Sequence, residues 1–161
     1  MVAGADLSAE LSETAWLDSL RQLGKNRGAF TELGESHAAL FIEQSHDVLF
    51  VAFETIHSMR TGSESGAPLA FDVCESRGWS HLTLIAKGQD WFRDAALYGF
   101  FDRLADVDFY AQFDRVIFYG AGMCGYAAAA YSVTAPGATV MLVAPQATLD
   151  RNRADWDDRF P

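Results

Sequence analysis

The sequence predicts an α/β domain with a mostly parallel sheet, crossover helices and an antiparallel hairpin near the N-terminus. The first observation is the second half of the chain, where apolar runs at 81–87, 116–119 and 139–144 alternate with helical stretches. Continuous apolar runs are typical of central parallel strands, and the helices between them supply the crossovers. The second observation is a pair of apolar runs, 38–43 and 48–54, which a short polar turn joins into a predicted hairpin.

The N-terminal element is predicted to be a helix within residues 1–24. Ser8 or Ser12 can cap its start, because each precedes an acidic residue and helix-forming residues. Gly24 is the expected stop of this helix. A polar loop is expected over 24–36, ahead of the hairpin.

The middle of the chain is predicted to carry a long loop, a short helix and a long aromatic helix. The loop covers 55–67, the short helix lies within 69–77, and the long helix covers 95–113. The aromatic residues of the long helix recur at helical spacing, so we interpret them as core-facing rather than as a binding site. A small-residue helix is predicted over 126–133, and an amphipathic segment is expected around 150–160.

The composition is that of a folded intracellular domain. Half of the 161 residues are hydrophobic and 21% are charged, which excludes a disordered chain. No apolar run approaches the roughly 18–20 residues of a membrane helix, and no secretory signal is recognised. The net charge of −10 disfavours nucleic acid, whose phosphates it would repel. Two cysteines make neither a disulfide framework nor a metal cluster, so we expect a single cytoplasmic domain over 1–161, without membrane contact, metal or cofactor.

The most informative segment is 115–131, where an apolar strand, a glycine-dense turn and a small-residue helix follow one another directly. The turn reads Gly-Ala-Gly-Met-Cys-Gly over 120–125. In the nucleophile elbow G-x-S-x-G, the nucleophile occupies a strained turn with positive φ, and small flanking residues allow close packing. In that register Gly122 takes the nucleophile position between Gly120 and Cys124, so the turn suits the backbone but offers no attacking side chain.

This segment resembles the Y-G-x-S-M-G-G-Y elbow of α/β-hydrolase-like proteins, found among others in bacterial polysaccharide-associated proteins. Five positions match it: Tyr119, Gly120, Met123, Gly125 and Tyr126. The strand end at 143–146 is similar as well, whereas Gly122 replaces the serine and Cys124 replaces the next glycine. The resemblance implies the N-terminal part of an α/β-hydrolase fold with a degenerate elbow. The candidate ligand-binding residues are then those of the turn: Gly120, Gly122, Met123, Cys124 and Gly125.

The chain also resembles a group of bacterial proteins that share the runs FETI, GWSHL, WFRD, YGFFDR and ATLD. These runs are found here at 53–56, 78–82, 91–94, 98–103 and 147–150. Members of that group are sometimes labelled phosphoadenosine phosphosulfate reductase. A reductase of that kind needs a serine-rich, aspartate-containing pyrophosphate loop and a C-terminal cysteine in an E-C-G-like context, and the sequence contains neither.

The same turn also satisfies G-x-G-x-x-G, the dinucleotide-binding fingerprint, after a strand and before a helix. The N-terminus of that helix would then favour a phosphate. The fingerprint also needs an acidic residue about 20 residues on. The next strand ends instead at Gln146. The elbow is therefore the favoured interpretation, and a site for a nucleotide or another phosphate-bearing ligand is the alternative.

The two interpretations differ in the backbone that they predict. The elbow predicts a φ above zero at Gly122, strand pairing to about Tyr119 and a helix that begins at Met123 or Cys124. A smooth phosphate-binding loop would instead give Gly122 a φ well below zero.

Three side chains are further candidates for the site. Cys124 lies two positions past the nucleophile position, where the family needs a small residue, so a buried structural thiol is favoured. Arg93 is the candidate anion contact near a strand end, although a local ion pair with Asp90 or Asp94 is favoured. His57 is expected where a hydrolase builds its oxyanion donors, and a solvated position is favoured for it.

A complete catalytic triad is not expected, and no catalytic residue is assigned. In α/β hydrolases the acid and the histidine follow the nucleophile, but all four histidines precede Gly122 here. The chain therefore resembles a hydrolase-like fold shortened at its C-terminus. We expect a non-catalytic binding or scaffolding protein with an unidentified small-molecule or protein partner, and an enzyme holding a phosphate-bearing ligand is the alternative. If 139–144 is the last strand, its open edge is expected to be covered by 147–160 or to drive self-association.

Overall fold

The structure, a computed structural model, describes residues 4–8, 10–63 and 65–155. These residues form six strands: β1 (Gly28–Leu33), β2 (His37–Ile42), β3 (Val48–Thr55), β4 (Ser80–Ala86), β5 (Arg115–Ala121) and β6 (Thr139–Val143). They also form five α-helices: α1 (Glu13–Arg27), α2 (Ile56–Gly62), α3 (Leu69–Glu75), α4 (Ala95–Asp106) and α5 (Met123–Tyr131). Two short 3₁₀ helices, Phe109–Gln112 and Ser132–Thr134, follow α4 and α5.

The strands make one sheet in the order β1-β2-β4-β3-β5-β6. The last four strands of that order run parallel to one another, whereas β2 is antiparallel to both of its neighbours. Each connection between parallel strands passes through at least one helix. The predicted fold class, a mostly parallel sheet with crossover helices and an N-terminal hairpin, is therefore confirmed.

The hairpin itself is not the one that the sequence predicted. The runs 38–43 and 48–54 do form β2 and β3, but these strands do not pair, because β4 lies between them. The observed hairpin joins β1 to β2, with Leu33 opposite His37. β1 falls in the predicted loop 24–36, and its mostly exposed side chains form no apolar run that would mark a strand.

The first helix begins where predicted and ends later. Ser12 is its N-cap, with a hydroxyl that accepts a 3.2 Å hydrogen bond from the Ala15 amide. The prediction that Gly24 ends the helix is wrong, since α1 continues to Arg27. Gly24 is buried inside the helix, where the absence of a side chain permits close packing against β1.

The predicted loop 55–67 is also partly helical. It contains α2, which begins at a capping box between Thr55 and Ser58. At the other end of the chain, residues 150–155 of the predicted amphipathic segment are turns or coil, and 156–160 lie outside the described residues. No helix among the described residues is both long and apolar enough to cross a membrane.

The aromatic helix is shorter than predicted, but its inner side packs as predicted. α4 ends at Asp106, because Asp108 adopts a left-handed conformation with φ 53° that a helix cannot continue through. Leu97 and Phe101 are buried, whereas Tyr98 is 46% exposed. The aromatic residues of this helix thus contribute chiefly to the core.

The core has two faces, one under α4 and α5 and one under α1 and α3. On the first face the Phe53 ring of β3 stacks with those of Phe101 and Tyr131, at centroid distances of 5.9 and 5.7 Å. On the second face Trp16 and Leu20 of α1 are fully buried. Each such apolar side chain stabilises the fold by about 1.5–3 kcal/mol. The central strands β3 and β4 are buried, and a cavity opens beside their carboxyl-terminal ends.

Candidate functional site

A cavity of about 460 Å³ lies at the carboxyl-terminal edge of the parallel strands. Its walls come from the end of β3, from α2, from the loop after β4 and from the turn between β5 and α5. Open α/β sheets bind their ligands at this edge, in crevices outside the strand ends. The lining includes Glu54, Ser58, Trp91, Tyr119, Met123 and Cys124.

The turn between β5 and α5 has the geometry of an elbow. Gly122 adopts φ 56° and ψ −122°, a conformation that other residues reach only under strain. Its amide donates a 2.8 Å hydrogen bond to the Val143 carbonyl of β6, and its carbonyl accepts a 3.1 Å hydrogen bond from Tyr126. The predicted positive φ is confirmed, as is the predicted helix start at Met123 or Cys124. β5 pairs with β3 as far as Tyr119, as predicted, and with β6 as far as Ala121.

Glycines on either side of Gly122 allow the strand and the helix to pack closely. A Cβ built on Gly120 would lie 2.1 Å from the Cys124 carbonyl oxygen, far inside van der Waals contact. A Cβ on Gly125 would lie 3.1 Å from the Gly120 carbonyl oxygen. By contrast, a Cβ on Gly122 meets no heavy atom of the described residues within 4 Å, so only backbone strain opposes a side chain there.

An oxyanion hole in a hydrolase elbow is formed by two backbone N–H groups. The corresponding groups here belong to Met123 and Thr55, and they differ in whether they already donate a hydrogen bond within the fold. Met123 is the first residue of α5, so its N–H has no acceptor within the helix, and the residue lines the cavity. In hydrolase elbows the second donor comes from the segment after the third strand. Here the Thr55 amide instead donates to Ser58 Oγ at 3.1 Å. His57 is exposed on α2, as favoured by the sequence, and is absent from the described lining of the cavity.

Glu54 is the buried acid of the cavity. It is only 8% exposed, and its Oε1 accepts a 3.1 Å hydrogen bond from the Leu69 amide. Its Oε2 is also buried and has no hydrogen-bond partner among the described residues. Burial raises the pKa of Glu54 to about 7. Hydrogen bonds from the Leu69 and Ala70 amides lower this pKa in part, and the negative charge of Asp72 raises it further.

Sequence reasoning did not select Glu54, although a signal for it exists. The residue is the only charged one in the run VLFVAFET, which forms β3. Glutamate is almost never buried unless it is paired, so an acid within a buried strand marks a position with a special requirement. The next residue, Thr55, is the last residue of β3 and the N-cap of α2. Glu54 therefore lies at the carboxyl-terminal end of the strand, where the cavity opens.

Cys124 is a buried thiol rather than an activated nucleophile. It is 8% exposed, and burial raises its pKa to about 12, with a smaller contribution from the charge of Glu54. Cys74 on α3 is also free and buried, and burial raises its pKa to about 12 as well. Since the thiolate is the reactive form, we expect both side chains to react slowly at neutral pH, in agreement with the favoured structural role of Cys124.

Arg93 does not reach the elbow. It is exposed and lines a separate cavity of about 250 Å³ together with Tyr98. The favoured local ion pair of Arg93 with Asp90 or Asp94 is not formed in the described structure, where both acids have other partners. Asp90 accepts from the Phe92 amide at 3.0 Å, and Asp94 caps α4.

No histidine is placed to act as a base at the elbow. All four histidines are among the described residues, and none of them lines the cavity. His81 is buried in β4, where its Nδ1 lies 3.2 Å from Thr83 Oγ1, and burial lowers its pKa to about 3. His37 is buried on β2, with Nε2 3.1 Å from the Asp90 carboxylate.

Comparisons of the chain with protein-family models, with curated proteins and with solved structures found no match. The interpretation of the site therefore depends on its own geometry and chemistry.

Proposed function

We propose that this is a non-catalytic, α/β-hydrolase-like protein of the cytoplasm that binds a small molecule in the cavity beside Gly122. The observation that supports it best is an elbow backbone, with φ 56° and ψ −122° at Gly122, next to a space of about 460 Å³. Cavities of this size at the carboxyl edge of a sheet are typical small-molecule sites. Two free, buried cysteines are in keeping with a reducing compartment.

Three features of the cavity argue against hydrolysis. The nucleophile position is Gly122, which has no side chain. No histidine occurs among the described residues of the lining, so a hydroxyl placed there would have no imidazole base. Cys124, the nearest alternative nucleophile, is held as a neutral thiol by burial, which raises its pKa to about 12.

The alternative, a phosphate-bearing ligand at 120–125, has weaker support. No lysine or arginine occurs among the described lining residues, and Arg93 belongs to the neighbouring cavity. The carboxylate of Glu54 would repel a phosphate in this partly enclosed space. The positive φ of Gly122 is also the value expected for an elbow, whereas a smooth phosphate-binding loop would have a negative φ at this position.

Fluorine NMR of a library of fluorinated fragments tests the binding proposal. Wild-type protein is expected to broaden the signals of a subset of fragments. Ala121→Trp places an indole at the cavity from an exposed lining position and is expected to abolish that broadening. Ala129→Trp, at an exposed position of α5 outside the described lining, is the matched control and is expected to retain it. Equal loss in both variants, or no fragment bound by wild type, would contradict the proposal.

A further inference from the structure

Glu54 lines the cavity, and one oxygen of its carboxyl group has no hydrogen-bond partner among the described residues. Glu54 is 8% exposed, and its Oε1 already accepts from the Leu69 amide at 3.1 Å. Its Oε2 is buried without a hydrogen-bond partner among the described residues, and the residue lines the cavity. A buried polar atom without a partner is costly, so a ligand that donates a hydrogen bond to Oε2 removes a penalty that the unliganded protein carries.

The charge of the lining has one sign. Glu54 is the only carboxylate among its described residues, and no lysine, arginine or histidine accompanies it. Asp72 on α3 adds a second negative charge near Glu54, and the neighbouring group on α5 is the neutral thiol of Cys124. A cation is the ligand charge that this arrangement favours, and the net charge of −10 acts in the same direction over longer range.

The walls suit the body of an organic cation. Trp91, Tyr119 and Met123 contribute two aromatic side chains and a thioether to the residues that line the cavity. Aromatic faces attract ammonium groups through their quadrupoles, and methionine adapts to ligands of irregular shape. An apolar group next to a charged head therefore finds complementary surfaces in the same cavity.

The N-terminus of α5 acts in the opposite direction, and its effect is smaller. Its unpaired amides carry about half of a positive elementary charge. The ionised carboxyl of Glu54 carries a full negative charge and is the buried group. The balance at the cavity therefore remains negative when Glu54 is ionised.

We propose that the ligand is a small organic amine, bound as its ammonium ion, which donates a hydrogen bond to the carboxylate of Glu54 and packs its apolar part against Trp91, Tyr119 and Met123. This assignment rests on the proposed function, because it specifies the ligand of the same cavity. A charged hydrogen bond of this kind distinguishes an amine from an alcohol of the same shape by about tenfold or more in affinity.

Calorimetric titration at pH 8 with three probes of similar shape tests the assignment. The probes are phenethylamine, 2-phenylethanol and 3-phenylpropionate, which carry a positive, a neutral and a negative head group. Phenethylamine is expected to bind at least about tenfold more tightly than the alcohol, and the acid is expected to bind most weakly. Glu54→Gln keeps the shape and the acceptor for Leu69, and is expected to remove the preference for the amine while leaving the alcohol unchanged.

Asp106→Asn is the matched control, since it removes a carboxylate at an exposed position at the end of α4, outside the described lining, and is expected to keep the amine preference. An alcohol or acid that binds as tightly as the amine, or a Glu54→Gln variant with the wild-type preference, would overturn the assignment. If Glu54→Gln does not fold, the relative affinities of the three probes for wild-type protein test the assignment by themselves. Fragments that bind without an amine preference refute only the amine, whereas failure of all fragments and probes refutes the binding function as well.

Discussion

Gly120 packs directly against the carbonyl group of Cys124, so closely that a Cβ on Gly120 would lie 2.1 Å from that oxygen. Both groups belong to the backbone, one on β5 and one on α5, so neither can move aside as a flexible side chain does. Gly120→Ala is expected to lower the free energy of unfolding by more than about 3 kcal/mol, or to prevent folding. Gly122→Ala meets open space and only backbone strain, and is expected to cost about 1–3 kcal/mol.

Urea unfolding of the two variants measures the difference. Gly62→Ala is the control, because Gly62 lies in α2 and a Cβ there meets nothing within 4 Å among the described residues. That substitution is expected to be neutral or slightly stabilising, since alanine favours the helix. Equal losses at Gly120 and Gly122 would show that close packing does not define this turn.

Gly122→Ser restores a hydroxyl at the nucleophile position and is expected to give no hydrolase. The serine side chain has room, but the described lining contains no histidine to take its proton. The variant is expected to fold with the loss of about 1–3 kcal/mol that a strained serine implies. Turnover of p-nitrophenyl esters and labelling by a fluorophosphonate are the measurements, with wild-type protein as the control. Stoichiometric labelling of the introduced serine in the variant, or of any serine in wild type, would refute the non-catalytic assignment.

Cys124 and Cys74 are expected to react slowly, and at similar rates, with a thiol reagent at neutral pH. Burial raises the pKa of both thiols to about 12. At pH 7 such a thiol is ionised in roughly one molecule in 10⁵, and the thiolate is the reacting form. Reaction with Ellman's reagent, with and without urea, measures this. Modification of native Cys124 much faster than of Cys74 would identify it as an activated group.

The stability of the protein is expected to fall as the pH rises through the pKa of Glu54. Burial raises that pKa from 4.5 to about 7, so between these values the folded state keeps a proton that the unfolded state releases. The unfolded state then binds fewer protons, and the free energy of unfolding decreases with pH. The Glu54 contribution is expected to fall by about 3 kcal/mol between pH 4 and pH 8.

The effect is measured as a difference between wild type and Glu54→Gln, because the other titrating groups contribute equally to both. The Glu54→Gln variant is expected to gain about 3 kcal/mol relative to wild type over that pH range, as only the wild type loses the protonated form. A difference that does not change with pH would mean that Glu54 titrates alike in the folded and unfolded states.

Most strands of the sheet could be predicted from the sequence, but the neighbours of β2 could not. The position of a strand depends on local sequence, whereas its pairing depends on contacts between distant segments. Apolar runs are local signals, and they mark β2 to β6 close to their observed bounds. The sheet order is a property of distant contacts. β2 and β3 are adjacent in sequence and both almost wholly buried, so nothing local shows that β4 is inserted between them. β1 is an exposed edge strand, and its mixed residues give no apolar run.

The backbone of the elbow could also be predicted from local sequence, whereas the burial and hydrogen bonding of the Glu54 carboxyl could not. Gly120 and Gly122 are explained by backbone geometry within a few residues of each other, which the sequence displays directly. The partner of Glu54 Oε1 is the Leu69 amide, fifteen residues away on another element. Whether Oε2 finds a partner depends on the packing of elements that are distant in sequence, which no local pattern reveals.

The outer edge of β6 pairs with no strand among the described residues. All five of its residues are exposed, with Met141 at 50% and Val143 at 52%. The described part of the tail, 147–155, leaves the strand in this state, and 156–160 lie outside the described residues. Unpaired backbone groups beside apolar side chains favour pairing with another strand, so self-association through β6 is the expected outcome.

Antiparallel pairing of β6 with β6 of a second copy satisfies this edge, because a two-fold axis brings the same strand of both chains together. Light scattering over a range of concentrations is expected to show a mass rising towards twice that of one chain. Met141→Lys places a charge on the edge strand and is expected to keep the protein monomeric. Val107→Lys, at a residue that is 70% exposed beyond the end of α4, is the control and is expected to associate like wild type. A wild-type monomer at every concentration would show that this edge stays unpaired in solution, and association of Met141→Lys would place the contact elsewhere on the surface.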